Sequence, residues 1–332
     1  MSKLTWLAVS LVTVIAGTLL AAYIIMPVRF YPRDPADATI LFDDLDAFTK
    51  AHQAARNDNL SPDAYATHYF DKGSDAVDSL VWQVKISAQQ TADDVHARPQ
   101  AYDEIIKRFV NVQAAESAIR AAYEVLESTY PDAVYPPVYF AYSGFRARGL
   151  IRPYGIIIGG EYFVAGPNDR SIEGWPGARG WMVSADLLPS HLIHELAHIQ
   201  HARKSPVAFL NSGSVLNWSI YEGAADFVAA TLTGAHTNPA GHAFLEETGN
   251  ALWCEFYRSM GASRRTYWMD SEVFGVPPGG FGASFGFEIS AAYYARRKDK
   301  KQALIDLIEL RDHRKIFESS GYSERLAELC AT

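Results

Sequence analysis

The chain of 332 residues contains very little cysteine. Its two cysteines, Cys254 and Cys330, lie far apart in the sequence, and there is no C-x-x-C pair. This scarcity excludes a framework of several disulfides and any metal site with cysteine-ligand spacing. A single bridge is permitted if the domain lies outside the cytoplasm, but we expect two buried free thiols instead.

Positive charge is also scarce, and the formal net charge is −8 at pH 7. Proteins that bind nucleic acids need a clustered basic surface, so we expect no nucleic-acid partner. The longest basic run, residues 296–301, is interrupted by Asp299 and is predicted to be the solvated end of a helix. Internal repeats and low-complexity segments are absent as well.

One long stretch lacks charge altogether. Leu4 to Met26 spans 23 residues without a charged side chain, enough to cross a bilayer as a helix. The alternative is a cleaved signal peptide, although Thr18 to Ala22 offers only a poor cleavage site. We therefore predict that residues 1–28 form a membrane anchor. The expected location is the inner (cytoplasmic) membrane, with a single-pass anchor and the remaining chain on the periplasmic, extracytoplasmic side.

The rest of the chain shows both helical and strand periodicity. Helices are predicted at 40–55, 76–86, 105–126, 186–204, 219–233 and from 287 onward, strands at 138–142 and 154–158, and loops at 166–180 and 275–282. This order predicts an α+β fold with a small antiparallel or mixed sheet. It divides the chain into a helical N-terminal subdomain at 29–130 and a second domain at 131–332.

The helix predicted at 186–204 contains an H-E-x-x-H motif, His194-Glu195-Leu196-Ala197-His198. Histidines four residues apart lie on one helix face, where both can bind a single zinc ion. Glu195 is then placed beside the open position of the metal and can act as the general base. The alternative is a helix with two surface histidines and an incidental glutamate.

A third ligand is available on the next predicted helix. Glu222 and Asp226 are one turn apart there, so Glu222 can complete a His₂Glu zinc site while Asp226 accepts the free N–H of a ligand histidine. The alternative is that Ser219 and Glu222 form only a capping box. We predict one zinc ion per chain. His191 and His201 flank the motif, and we expect supporting or solvent-facing roles for them rather than ligation.

H-E-x-x-H followed by E-x-x-x-D resembles the gluzincin group of metallopeptidases, and within it a bacterial family of predicted zinc-dependent proteases of largely unassigned function. Weaker landmarks of that family are similar at Tyr69–Ser74, Ile158–Glu161 and Phe285–Ile289. The resemblance implies a zincin-like metallopeptidase domain. The family often has Gly-Tyr-x-x-Gly-Tyr where this chain has Ala283 and Phe287 in the tyrosine positions. The candidates to replace that transition-state donor are Tyr293, Tyr294 and His236.

These observations predict a membrane-anchored zinc metallopeptidase that acts on a peptide or protein substrate. Glu195 would take a proton from water and return it to the leaving amine. The strand predicted at 154–158 could pair with an extended substrate. The alternative is a catalytically weak or inactive zinc-stabilised module that binds or scaffolds partners at the membrane.

Overall fold

The computed structural model describes residues 30–165, 182–206, 212–263, 268 and 281–331. The structure is mostly helical, at 69%, with a small mixed sheet of four strands. The predicted α+β class is therefore wrong. The difference arises because the strands contain only two to five residues each, whereas helices fill most of the connections between them.

In the part of the chain that the structure describes, seven helices precede the main part of the sheet. They are α1 (Asp43–Asn57), α2 (Pro62–Tyr65), α3 (Asp75–Val84), α4 (Ala88–Ala97), α5 (Pro99–Lys107), α6 (Phe109–Ala114) and α7 (Glu116–Thr129). A π-helical turn, Ala66–Phe70, follows α2. The single helix predicted at 105–126 is three helices in the structure.

Eight further helices follow the sheet in the described part of the chain. They are α8 (Leu188–Lys204), α9 (Val215–Thr233), α10 (Pro239–Thr248), α11 (Asn250–Ser259), α12 (Phe281–Arg296), α13 (Lys300–Glu309), α14 (His313–Ser320) and α15 (Tyr322–Leu329). The basic run does fall at a helix end, since α12 stops at Arg296. The loop predicted at 166–180 and most of the one predicted at 275–282 lie outside the described residues.

The sheet has the strand order β1-β2-β4-β3, where the strands are β1 (Ile40–Leu41), β2 (Val138–Ala141), β3 (Gly149–Arg152) and β4 (Gly155–Gly159). β2 pairs in parallel with both β1 and β4, and β3 pairs antiparallel with β4. The strand predicted at 154–158 therefore lies inside the sheet and has no free edge for a substrate. The free edge beside it belongs to β3.

Two helices, α8 and α9, lie in the interior of the molecule. Most of their side chains are buried, and their apolar residues do not form a single stripe. Such a pattern is typical of a helix surrounded by protein. Pro189 lies in the first turn of α8, and Ser214 caps α9, which ends at Gly234 in the left-handed conformation. Buried residues from both predicted units belong to the hydrophobic core around these helices.

The helices α9 and α12 cross in direct backbone contact. A Cβ atom at Gly223 would lie 2.1 Å from the Phe287 nitrogen, and one at Gly286 would lie 1.7 Å from the Ser219 carbonyl oxygen. Only glycine at both positions permits this approach. The small residue Gly223 thus serves the contact with α12.

The two cysteines form a disulfide. Cys254 on α11 is bonded to Cys330, which follows α15, with an S–S distance of 2.06 Å. The expectation of two free thiols is therefore wrong. The fold brings the two Cα atoms to 5.3 Å, a separation that no sequence pattern indicates.

None of the helices in the described ranges is both long enough and apolar enough to cross a membrane. The predicted spanning segment, Leu4 to Met26, lies outside those ranges. The finding for the described helices contradicts the prediction of a single-pass anchor in the inner membrane. The longest described helix, α9, contains Glu222 and Asp226 and packs within the protein core.

Candidate metal centre

Two buried helices bring the predicted zinc ligands together. His194 and His198 lie one turn apart on α8, and Glu222 lies on α9, which packs against it. The His194 Nε2 and His198 Nε2 atoms are 3.0 Å apart. Glu222 Oε2 lies 3.3 Å from the His198 Nε2 atom and 3.5 Å from the His194 Nε2 atom.

This triangle of donor atoms has the dimensions of a zinc site. Tetrahedral coordination with bonds of about 2.0–2.1 Å requires donors separated by about 3.3–3.4 Å. The three measured separations bracket that distance. Two imidazoles and one carboxylate also form a recognised ligand set for catalytic zinc, with a fourth position left open. The residues present therefore fit one zinc ion.

Asp226 orients the ring of the candidate ligand His194 through a hydrogen bond. Its Oδ1 atom lies 2.7 Å from His194 Nδ1, so the Nδ1–H group donates to it and the Nε2 lone pair is directed at the other two donors. The Thr237 hydroxyl donates to the same Asp226 oxygen. Burial alone would lower the pKa of His194, but the Asp226 and Glu222 carboxylates raise it well above its usual value.

His198 is held by packing instead. Its ring stacks on Tyr221 with centroids 4.2 Å apart, and its Nδ1 atom is buried with no hydrogen-bond partner in the described part of the chain. Burial would raise the pKa of Glu222, but His198 and His194 beside it lower that pKa strongly. The two histidines are thus oriented in different ways, one by a carboxylate and one by an aromatic face.

The flanking histidines are not aimed at the donor triangle. His201 Nε2 donates to the Leu307 carbonyl at 3.0 Å, and burial lowers its pKa well below the usual value. His191 Nε2 accepts a hydrogen bond from Arg148. Burial, followed by the charge of Arg148, lowers the pKa of His191. Both side chains are buried, so neither faces solvent.

Glu195 lies in the same cleft as the triangle. The cleft has a volume of about 170 Å³. Its lining includes all the triangle residues except His198, together with Glu195, Asp226, Thr237, Arg148 and Gly149. The Glu195 carboxylate packs against the edge strand, because a Cβ atom at Gly149 would lie only 2.2 Å from Glu195 Oε1.

The three residues predicted to donate to a transition state lie elsewhere. The Tyr293 hydroxyl donates to Asp306 Oδ2 at 2.6 Å. The Tyr294 ring packs on Phe227 with centroids 5.4 Å apart. His236 is exposed, and its ring lies beside Phe287, one of the residues that replace the family tyrosines. None of the three belongs to the described residues that line the cleft.

Sequence reasoning missed Arg148 and Gly149, which precede and begin β3. The turn before them is held by the buried carboxylate of Glu161, whose Oε1 accepts from the Ser143 nitrogen at 2.9 Å, the Ser143 hydroxyl at 2.6 Å and the Phe145 nitrogen at 2.9 Å. Burial raises the pKa of Glu161 to about 7. An arginine and a glycine between two strands carry no distinctive sequence signal.

Thr237 was also missed, although Asn238-Pro239 after it is a helix-start signal.

In comparisons with known proteins, no family model, no curated protein and no solved structure matches this chain. The resemblance to gluzincins therefore rests on the residues of the two motifs and stays a prediction.

Proposed function

We propose that this chain is a zinc-dependent peptidase whose metal is held by His194, His198 and Glu222. The observation that carries the proposal is the donor triangle with the Glu195 carboxylate in the same cleft. A purely structural zinc site is normally closed by four protein ligands, whereas this donor set has three. Zinc bound by such a set acts as a Lewis acid and acidifies water.

Glu195 is the residue that moves protons in this proposal. Its carboxylate takes one proton from the water molecule whose oxygen adds to the carbonyl carbon of the substrate. It then returns that proton to the amide nitrogen as the C–N bond breaks, so that the products are a carboxylic acid and an amine, and transfer of the acid proton to the amine gives a carboxylate and an ammonium group. Within the described part of the chain, no hydrogen bond or ion pair joins the Glu195 carboxylate to the three ligands.

The free edge of β3 supports a peptide as the substrate class. Arg148 O accepts from Gly159 N, and the alternation of an antiparallel pair then turns the N–H and C=O groups of Gly149 and Ile151 away from β4. No other strand in the described ranges pairs with this edge. An extended peptide can add there as a further strand, next to Glu195.

A non-catalytic zinc-stabilised binding module is the second candidate. It is favoured by one observation, the position of Tyr293, Tyr294 and His236 outside the cleft. Such a module needs the three ligands but has no use for Glu195.

The deciding experiment compares zinc content and hydrolysis of a broad peptide mixture by the full-length chain. We expect about one zinc ion per chain, lost in alanine variants of His194, His198 or Glu222. Glu195→Gln should keep its zinc and lose hydrolysis by about 10²–10⁴-fold, because general acid–base groups contribute that much. Asp226→Asn should weaken zinc affinity by about 10–100-fold and recover activity at high zinc.

The matched control is Glu124→Gln, an exposed glutamate on α7, which should change neither quantity. Full activity in Glu195→Gln would contradict the proposed role of Glu195. Absence of hydrolysis in every variant, with zinc bound, would favour the binding module.

A further inference from the structure

Arg148 is a cation in the cleft that forms no close ion pair with a carboxylate in the described part of the chain. Within the described part of the chain no carboxylate oxygen lies within 4.0 Å of its guanidinium, and its Nε atom is buried without a hydrogen-bond partner. Its contacts are neutral: His191 Nε2 accepts one N–H, and the Phe163 ring lies 5.5 Å from the guanidinium carbon. Burial lowers the pKa of Arg148 to about 10, although the Asp226 and Glu195 carboxylates, which lie beyond ion-pair distance, act in the opposite direction; the group stays charged at neutral pH.

A largely buried charge without a partner is costly, so proteins rarely keep one without a ligand. The position of this charge is defined by its contact with His191, which lies three residues, or about one helical turn of ~5 Å, before His194. Arg148 also lines the cleft together with His194, Glu222 and Glu195, so the guanidinium and the donor triangle belong to one cleft.

This position suits the end of a peptide. An extended chain rises by about 3.4 Å per residue. When a scissile carbonyl lies at the donor triangle, the α-carboxylate of the next residue therefore stays within the small cleft that Arg148 also lines. The cleft, at about 170 Å³, is also smaller than the ~300–1,000 Å³ typical of ligand pockets, which suits a chain end.

We propose that Arg148 binds the free α-carboxylate of the residue that follows the scissile bond, so that the enzyme removes residues from the carboxyl terminus of peptides. A guanidinium recognises a carboxylate through two parallel N–H donors, which gives both strength and orientation. This inference rests on the proposed peptidase function but concerns a different group of atoms.

Binding is tested without turnover, using zinc-loaded full-length Glu195→Gln. The protein is titrated calorimetrically with N-acetyl-Ala-Phe and with its C-terminal amide. We expect the free acid to bind about 10–100-fold more tightly, since a charge-assisted hydrogen-bonded pair in a partly buried site contributes that much. Adding Arg148→Gln should abolish the preference. Arg148→Lys should keep part of it, because lysine preserves the charge but not the paired donors.

The matched control is Arg146→Gln, an exposed arginine on the same turn, which should preserve the preference. Equal binding of acid and amide by the parent protein would overturn the proposal, and this comparison requires no Arg148 variant to fold. A preference that persists in Arg148→Gln, with zinc content and thermal midpoint unchanged, would also overturn it, because the carboxylate would then be bound by another cation.

Hydrolysis separates this inference from the proposed function. Wild-type protein should release the C-terminal residue from N-acetylated peptides with a free carboxylate and act poorly on their amides, mainly through a higher KM. Equal hydrolysis of acids and amides would leave a peptidase but refute the carboxylate site. Preferential binding of acids without any hydrolysis would support the site and refute the peptidase.

Discussion

At the scale of single residues, the position of Glu195 depends on the absence of a side chain at residue 149. The Glu195 carboxylate occupies the space where a Cβ atom at Gly149 would lie, 2.2 Å from Oε1. Real Cβ atoms do not approach an oxygen so closely, so any other residue at 149 must displace the carboxylate. Gly149 thus positions the proposed proton shuttle without taking part in the reaction.

We predict that Gly149→Ala keeps the zinc ion and loses hydrolysis by about 100-fold, since a displacement of about 1 Å at a reacting group can cost that much. The measurement is zinc content together with the rate of peptide hydrolysis. Gly213→Ala is the control, because no atom of the described residues lies within 4 Å of the added methyl group there. Undiminished hydrolysis by Gly149→Ala would show that the carboxylate works from another position.

At the scale of secondary-structure elements, the crossing of α9 and α12 fixes the third ligand. Glu222 directly precedes Gly223, which meets the backbone of α12 at Gly286 and Phe287. A shift of α12 would therefore move α9 and change the separation between Glu222 and the two histidines of α8. The spacing of the three candidate ligands therefore depends on a contact between Gly223 and α12.

We predict that Gly286→Ala destabilises the protein by about 1–3 kcal/mol, the usual cost of overpacking a filled interior. The added Cβ atom would lie 1.7 Å from Ser219 O, a rigid backbone atom, so one helix must shift. Denaturant unfolding measures the loss of stability, and a zinc titration should show weaker binding. Gly261→Ala, where the added methyl meets no atom within 4 Å in the part of the chain that the structure describes, should leave both values unchanged. Stability equal to that of wild type would mean that the helices do not cross as described.

At the scale of the whole molecule, the disulfide joins α11 to the end of α15 across a sequence separation of 76 residues. A cross-link stabilises a fold mainly by reducing the freedom of the unfolded chain, and more so for longer loops. The bridge links the end of α15, the last described helix, to α11, which follows the candidate metal ligands in the sequence.

Replacing both cysteines, as Cys254→Ser with Cys330→Ser, should lower the free energy of unfolding by about 4 kcal/mol for a loop of this length. Urea unfolding of the variant and of wild type, with and without reductant, measures the effect. Reduced wild type should unfold like the double variant, which serves as its control. An unchanged midpoint in both would show that the bridge does not stabilise the fold.

Local rules were enough to predict the helices of the candidate site. The predicted helices at 186–204 and 219–233 correspond to α8 (Leu188–Lys204) and α9 (Val215–Thr233). The spacing of four residues then places His194 above His198, and Glu222 above Asp226, whatever surrounds them. Donor chemistry and helix period are properties of short segments, so the sequence by itself determined which residues can hold a metal.

Only the tertiary structure decided what surrounds those residues. Four features depend on segments that are distant in sequence. They are the edge position of β3, the approach of Arg148 and Gly149 to α8, the contact of Gly223 with α12, and the Cys254–Cys330 bridge. The mostly helical fold was missed because the order of predicted helices and strands does not show how small the sheet is, with four strands of two to five residues. Pairing and packing between distant segments follow from the shape of the complete core, and no local periodicity records that shape.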